Sequence, residues 1–109
     1  MEKINIQLKI NNKDLPYTYT GEASSNRDII EFVDNGEEYI YDKKINRLTK
    51  TRNNYKVVID FDEEIIRLND NDNLINIKIK IKSKIISNNY IKLIYSIDGN
   101  EITFELEVK

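Results

Sequence analysis

Between Leu74 and Ile86 the chain alternates with a period of two. Ile75, Ile77, Ile79, Ile81 and Ile85 occupy odd positions, and Asn76, Lys78, Lys80, Lys82 and Lys84 occupy even ones. That period is the mark of a β-strand with one covered face and one wet face. No glycine or proline interrupts the run, and it exceeds the usual strand of ~5–6 residues. The stretch therefore predicts one long strand bending around a closed or strongly twisted sheet, with the odd isoleucines in the core and the lysines in solvent.

The rest of the chain repeats the pattern in shorter pieces. Ile4, Ile6, Leu8 and Ile10 alternate with polar residues and end at Asn11, Asn12, Lys13 and Asp14, a turn-forming group. Pro16 suits only a strand start or edge, so a second strand is expected from Tyr17 to Ala23, with a bulge or close backbone approach at Gly21 and a turn at Ser24, Ser25 and Asn26. A third strand, Asp28 to Asp34, meets Asn35-Gly36, whose tolerance of positive φ marks a type I′ hairpin. Glu37 to Asp42 returns with Tyr39 and Tyr41, and Lys44 to Arg52 follows with Ile45 and Leu48 as weaker anchors. Tyr55, Val57, Ile59 and Phe61 alternate, Asp62-Glu63 turns, and Glu64 to Leu68 forms a short strand before the polar loop Asn69 to Asn73. After the isoleucine stretch, Ile91, Leu93, Tyr95 and Ile97 pair across Asp98-Gly99 with Ile102, Phe104, Leu106 and Val108.

No segment carries helical spacing over two turns. About eight or nine short strands in sequential order have two natural solutions, an up-and-down antiparallel β-barrel or a two-sheet β-sandwich. The barrel is the expected one, because meander hairpins close on themselves and closure removes aggregation-prone edges. A chain of 109 residues suits one domain, 1–109.

Composition narrows the chemistry. Without histidine or cysteine, the commonest general base, the thiol nucleophile, the disulfide and the usual zinc ligands are all missing. No metal, no cofactor and no enzymatic activity are expected. The 33% charged fraction with a net charge of −2 predicts a surface of mixed sign, which argues against general nucleic-acid affinity. The start, Met1 to Ile10, lacks the apolar segment of a signal peptide, and no run approaches the ~20 apolar residues of a membrane span, so a cytoplasmic protein is expected.

Several groups are candidates for a site. Asp34 shares parity with Ile30 and Phe32, and Arg67 with Ile65, so the two are expected to point toward the core as a polar centre; the alternatives are a structural ion pair closing one barrel end, or two exposed residues. Tyr17, Tyr19, Tyr39, Tyr41, Tyr55 and Tyr95 offer rings with hydroxyl handles, and Tyr19, Tyr41 and Tyr95 join Asp34 and Arg67 as expected ligand-binding residues. Ordinary packing explains most strand tyrosines. The Lys78, Lys80, Lys82 and Lys84 row lacks interleaved aromatics and reads as a solvated face. Asn69 to Asn73 places oxygens at alternate positions like a calcium loop, but Leu74 stands where glycine is needed and no closing acid follows. Asp60, Asp62, Glu63 and Glu64 surround a tight turn and are expected to be exposed.

Four short pieces carry a family resemblance: Thr18-Tyr19-Thr20-Gly21, Ile30-Glu31-Phe32-Val33-Asp34, Ile65-Ile66-Arg67 and Ile91-Lys92-Leu93-Ile94-Tyr95. In their order the chain resembles the YwiB-like proteins, a bacterial family of calycin-like (lipocalin-like) β-barrels of unknown function. Asn69 stands where that family often has glycine, a position whose left-handed conformation asparagine tolerates. The resemblance implies a lipocalin-like barrel and supplies no chemistry. The expected function is a small binding module, monomer or homodimer, taking a small apolar ligand in the barrel or a protein on its surface. The alternative is a structural or regulatory interaction protein, or a small inhibitor, with a filled barrel. An empty or a filled interior discriminates between them.

Overall fold

The computed structural model describes residues 2–13 and 16–109; the expected turn residue Asp14 lies outside them. Eleven strands follow in order: β1 Glu2–Asn11, β2 Tyr17–Asn26, β3 Ile29–Asp34, β4 Glu37–Asp42, β5 Arg47–Arg52, β6 Tyr55–Asp60, β7 Ile65–Asp70, β8 Asn73–Lys78, β9 Lys80–Ile86, β10 Tyr90–Ile97 and β11 Asn100–Val108. Among the described residues there is no helix, and so none long and apolar enough to cross a membrane. The protein is all-β and antiparallel, as its alternation demands. The count exceeds the expected eight or nine: 47–52 is a full strand, and the isoleucine stretch makes two strands in place of one.

The chain gathers into two compact units. One holds Met1–Lys3 and Ala23–Lys78, with strand order β8-β7-β6-β5-β4-β3 and the end of β2. Two-residue turns set its registers. Asn35 and Gly36 both have positive φ (52° and 76°), as do Asn71 and Asp72 (48° and 69°), so each pair reverses the strand with the twist its neighbours require. The hairpin between β2 and β3 turns instead on Arg27, at φ 56°, and the expected turn residues Ser24, Ser25 and Asn26 pair with Glu31, Ile30 and Ile29 as strand.

Cross-strand register sorts this unit into rows. Ile30, Tyr41, Leu48, Ile59, Ile66 and Ile77 form one row, and Phe32, Tyr39, Lys50, Val57, Leu68 and Ile75 form the next on the same face. The first is buried or half-buried throughout. The second grades from buried at Phe32 and Tyr39 to exposed at Ile75.

The other unit holds Ile4–Glu22 and Ile79–Lys109, in the order β2-β1-β11-β10-β9. Leu8, Leu106 and Ile91 lie side by side, as do Ile10, Phe104 and Leu93, and Tyr95 faces Ile102. Each such side chain, once buried, contributes about 1.5–3 kcal/mol. Gly21 sits within β2 without ending it. A Cβ there would lie 2.9 Å from the Tyr19 hydroxyl, which folds back to donate to the Glu22 carbonyl at 2.6 Å, so what approaches Gly21 is a side chain and not the expected backbone.

The isoleucine stretch departs from its expectation. It breaks at Ile79, which is buried, while Ile75 and Ile85 are exposed and Ile77 and Ile81 are half-buried. Two causes act. Each half is the last strand in the order of its unit, so it is hydrogen-bonded to a strand on one side alone. In addition, the pairing of β9 with β10 shifts register between Ile94 and Tyr95, which sets Lys84 opposite Leu93 and Ile85 opposite Lys92. A shift of one residue exchanges the two faces of a strand. The alternation is real, but the irregularity at Lys82 reverses its sense after Ile81.

Candidate functional site

The tyrosines expected to line a ligand chamber are packed. Tyr41 is 2% exposed and Tyr95 is 3% exposed, and Leu93, Phe104 and Leu106, near Tyr95 in register, are just as inaccessible. A chamber wide enough for water would leave accessible surface on the side chains lining it. Burial pushes the Tyr95 phenol up to about 12. The Tyr41 hydroxyl donates to Asn46 Oδ1 at 2.6 Å, and the Asn46 amide donates to Asp62 Oδ1 at 3.2 Å. Burial first, then the charges of Asp62 and Asp42, hold the Tyr41 phenol well above its ordinary range. Tyr41 is thus a structural donor: its hydroxyl satisfies a buried asparagine that adopts φ 52° at the loop into β5. Tyr19 is half-buried and turned back on its own strand.

The expected Asp34–Arg67 centre does not form as a pair. Arg67 lies opposite Val58 and Asn76, on the face away from Ile66, and its guanidinium reaches Glu63 Oε2 at 2.5 Å and Asp60 Oδ2 at 3.7 Å. The parity inference failed because Ile65 and Ile66 are adjacent. Either could mark the covered face, and the turn before β7, with Glu64 at φ 58°, selects Ile66. Asp34 does share the face of Phe32, at the strand end opposite Glu37, as its parity implied.

Asp60 is the acid that Arg67 joins, and contrary to the expectation of exposure it is 2% exposed. Its Oδ2 accepts from Arg47 Nη2 at 2.9 Å and Nε at 3.3 Å, and its Oδ1 accepts from the Glu63 backbone amide at 2.9 Å. Burial alone would raise this carboxyl. The Glu63 amide, the Arg47 hydrogen bonds and the two guanidinium charges outweigh it and leave Asp60 below the usual carboxylate range. Both Asp60 oxygens accept hydrogen bonds, one from the Glu63 amide of the adjoining turn and the other from Arg47 of β5, so the group is a clasp between that turn and β5. The signal for it in the sequence is an aspartate ending a strand three residues before a turn amide.

The row containing Phe32 is the more informative surface. The Phe32 and Tyr39 rings stack with centroids 4.8 Å apart and planes 8° from parallel. Lys50 Nζ lies 5.8 Å from the Tyr39 centroid and 3.1 Å from Glu37 Oε2. Beyond Lys50 the same row continues through half-buried Val57 and Leu68 to Ile75, which is 53% exposed. Leu74, on the other face of β8, is 78% exposed. The expectation missed this surface because it assigned Ile75 to the core.

Open clefts lie at the turns. One of about 410 Å³ is lined by Asn26, Arg27, Asp28, Ile29, Asp42 and Lys44, and one of about 290 Å³ lies between Arg52, Tyr55 and Asp70 at the opposite strand ends. Both are open and bounded by hairpin turns. Among the described residues no cluster of three or more acidic side chains could hold a metal ion. No family model, no curated protein and no solved structure matches this chain.

Proposed function

We propose that the protein is a small protein-interaction module with packed cores, and not a carrier of a small apolar ligand. The observation that carries this reading is the near-complete burial of Tyr41 and Tyr95 together with the exposure of Leu74 and Ile75 on β8. Apolar surface left on a strand while the tyrosines are sealed favours recognition at the surface over recognition inside. An up-and-down barrel of the calycin kind, related to the YwiB-like proteins but with its end strands β8 and β9 not hydrogen-bonded to each other, remains the architecture we propose, supported by the sequential antiparallel order of the strands. The same reading makes the protein a cytoplasmic, non-enzymatic module without nucleic-acid affinity. In support, Asp60 and Glu37 are taken up in ion pairs with Arg47 and Lys50, and Lys78, Lys80, Lys82 and Lys84 are exposed without aromatic platforms.

Calorimetric titration with medium-chain fatty acids and alkanols tests the reading. No saturable binding below about 100 μM is expected. A stoichiometric site with submicromolar affinity would refute it, since such affinity requires most of the ligand to be enclosed.

A further inference from the structure

The two end strands differ in how they are guarded. An edge strand presents unpaired backbone groups, and proteins that must not pair there defend the edge with lysines, prolines or bulges. The end strand β9 has such defences: Lys80, Lys82 and Lys84 along its length and a register shift against β10. In contrast, β8 (Asn73-Leu74-Ile75-Asn76-Ile77-Lys78) has no proline, pairs with β7 without a shift, and carries a single charge at its last residue. It is also exposed at every position except Ile77, which is half-buried.

The direction of its free backbone follows from the turn. Asn71 and Asp72 form a two-residue loop with positive φ at both positions, so the flanking pair Asp70 and Asn73 exchange both hydrogen bonds. Alternation along an antiparallel ladder then gives Ile75 and Ile77 to β7, and turns the N–H and C=O groups of Leu74, Asn76 and Lys78 outward.

We propose that β8 is a homodimer interface, at which it pairs antiparallel with β8 of a second copy about a two-fold axis through Asn76. Resting on the interaction-module reading, this identifies the surface and the partner. In that register Leu74 faces Lys78 of the other copy and Asn76 faces itself, giving about six backbone hydrogen bonds. Ile75 meets Ile77 at both non-hydrogen-bonded positions, where side chains approach most closely. The half-exposed row through Val57, Leu68 and Ile75 then continues into the second copy. A second copy fits better than a charged peptide because the strand has no acid and one lysine. The two Lys78 residues are offset by four positions, about 14 Å, which exceeds the Debye length of about 8 Å at physiological salt. The pairing is isologous and closes after two copies.

Sedimentation equilibrium between 5 and 500 μM tests this. The expected result is a concentration-dependent rise from 12.9 kDa toward twice that mass. Asn76→Lys, which sets two ammonium groups face to face, should weaken association at least tenfold. Asn76→Pro, which removes an N–H not used by β7, should do the same without lowering the melting temperature. The chain has no cysteine, so Asn76→Cys should give a disulfide dimer on mild oxidation where Ser83→Cys, on β9, should not. A chain monomeric to 500 μM, a dimer indifferent to Asn76→Lys and Asn76→Pro, or equal cross-linking at Ser83→Cys would each overturn the proposal. The fatty-acid titration, run on the same samples, separates the two claims: a monomer that binds no ligand refutes the dimer alone, whereas a monomer with an enclosed ligand refutes the module as well.

Discussion

Replacing Asp60 by asparagine keeps the side chain's size and its acceptor for the Glu63 amide, and removes the charge shared with Arg47 and Arg67. Breaking a fully buried ion pair costs about 3–5 kcal/mol because the surviving charge stays desolvated. Here the survivors are guanidinium groups 37% and 43% exposed, which rehydrate. The loss should therefore be that of charge-assisted hydrogen bonds, about 1.5–3 kcal/mol. At roughly 4–8 °C per kcal/mol for a chain of this size, thermal melting would show it plainly. The pH dependence is a second readout. The folded carboxyl lies below its unfolded value of about 3.9, so its contribution is fully present above that value and is lost as pH falls through the folded one. The gap between wild type and Asp60→Asn should be constant above about pH 5 and close below about pH 4. A gap under about 0.5 kcal/mol at pH 7, the range of ordinary surface changes, or one that widens on acidification would refute the account of this clasp.

Urea denaturation of Ile79→Ala should show a loss of about 2–5 kcal/mol, while Ile75→Ala should cost less than about 1 kcal/mol, since only the first opens a cavity. Tyr41→Phe removes the hydroxyl that donates to Asn46 Oδ1 and should cost about 1–3 kcal/mol by the same assay. A double-mutant cycle between Asp34 and Arg67 should give a coupling near zero, because Arg67 spends its charge on Glu63 and Asp60.

What could be read from the sequence was periodicity and turn chemistry. Ile6 and Leu8, Ile91, Leu93 and Tyr95, and Ile102, Phe104 and Leu106 are buried where their alternation puts them, and Asn35-Gly36 and Asp98-Gly99 turn as their tolerance of positive φ requires. What could not be read was whether a strand's apolar face has anything over it. Ile75 and Ile79 are identical in spacing and residue type, yet one is exposed and the other buried, because cover depends on position in the sheet. Adjacent apolar residues hid the orientation of β7, so Arg67 was assigned to the wrong face. The register shift opposite Ile94 and Tyr95, with no glycine or proline to announce it, hid the reversal at Ile85. Asp60 was obscured by its setting, an acid among exposed acids whose burial depends on two arginines, Arg47 and Arg67, that are thirteen and seven positions away.

The central claim is that the tyrosine-bearing cores are filled and that recognition occurs at the surface. Methyl-resolved NMR of isoleucine-labelled protein tests it in one sample, with reporters at buried Ile6, Ile30, Ile66, Ile91 and Ile102 and at exposed Ile75. On adding decanol to saturation the buried methyls should keep their shifts, and on dilution Ile75 and its neighbour Ile77 should move. Stoichiometric shifts at Ile30, Ile66 or Ile102 with decanol, and none at Ile75 on dilution, would contradict the account.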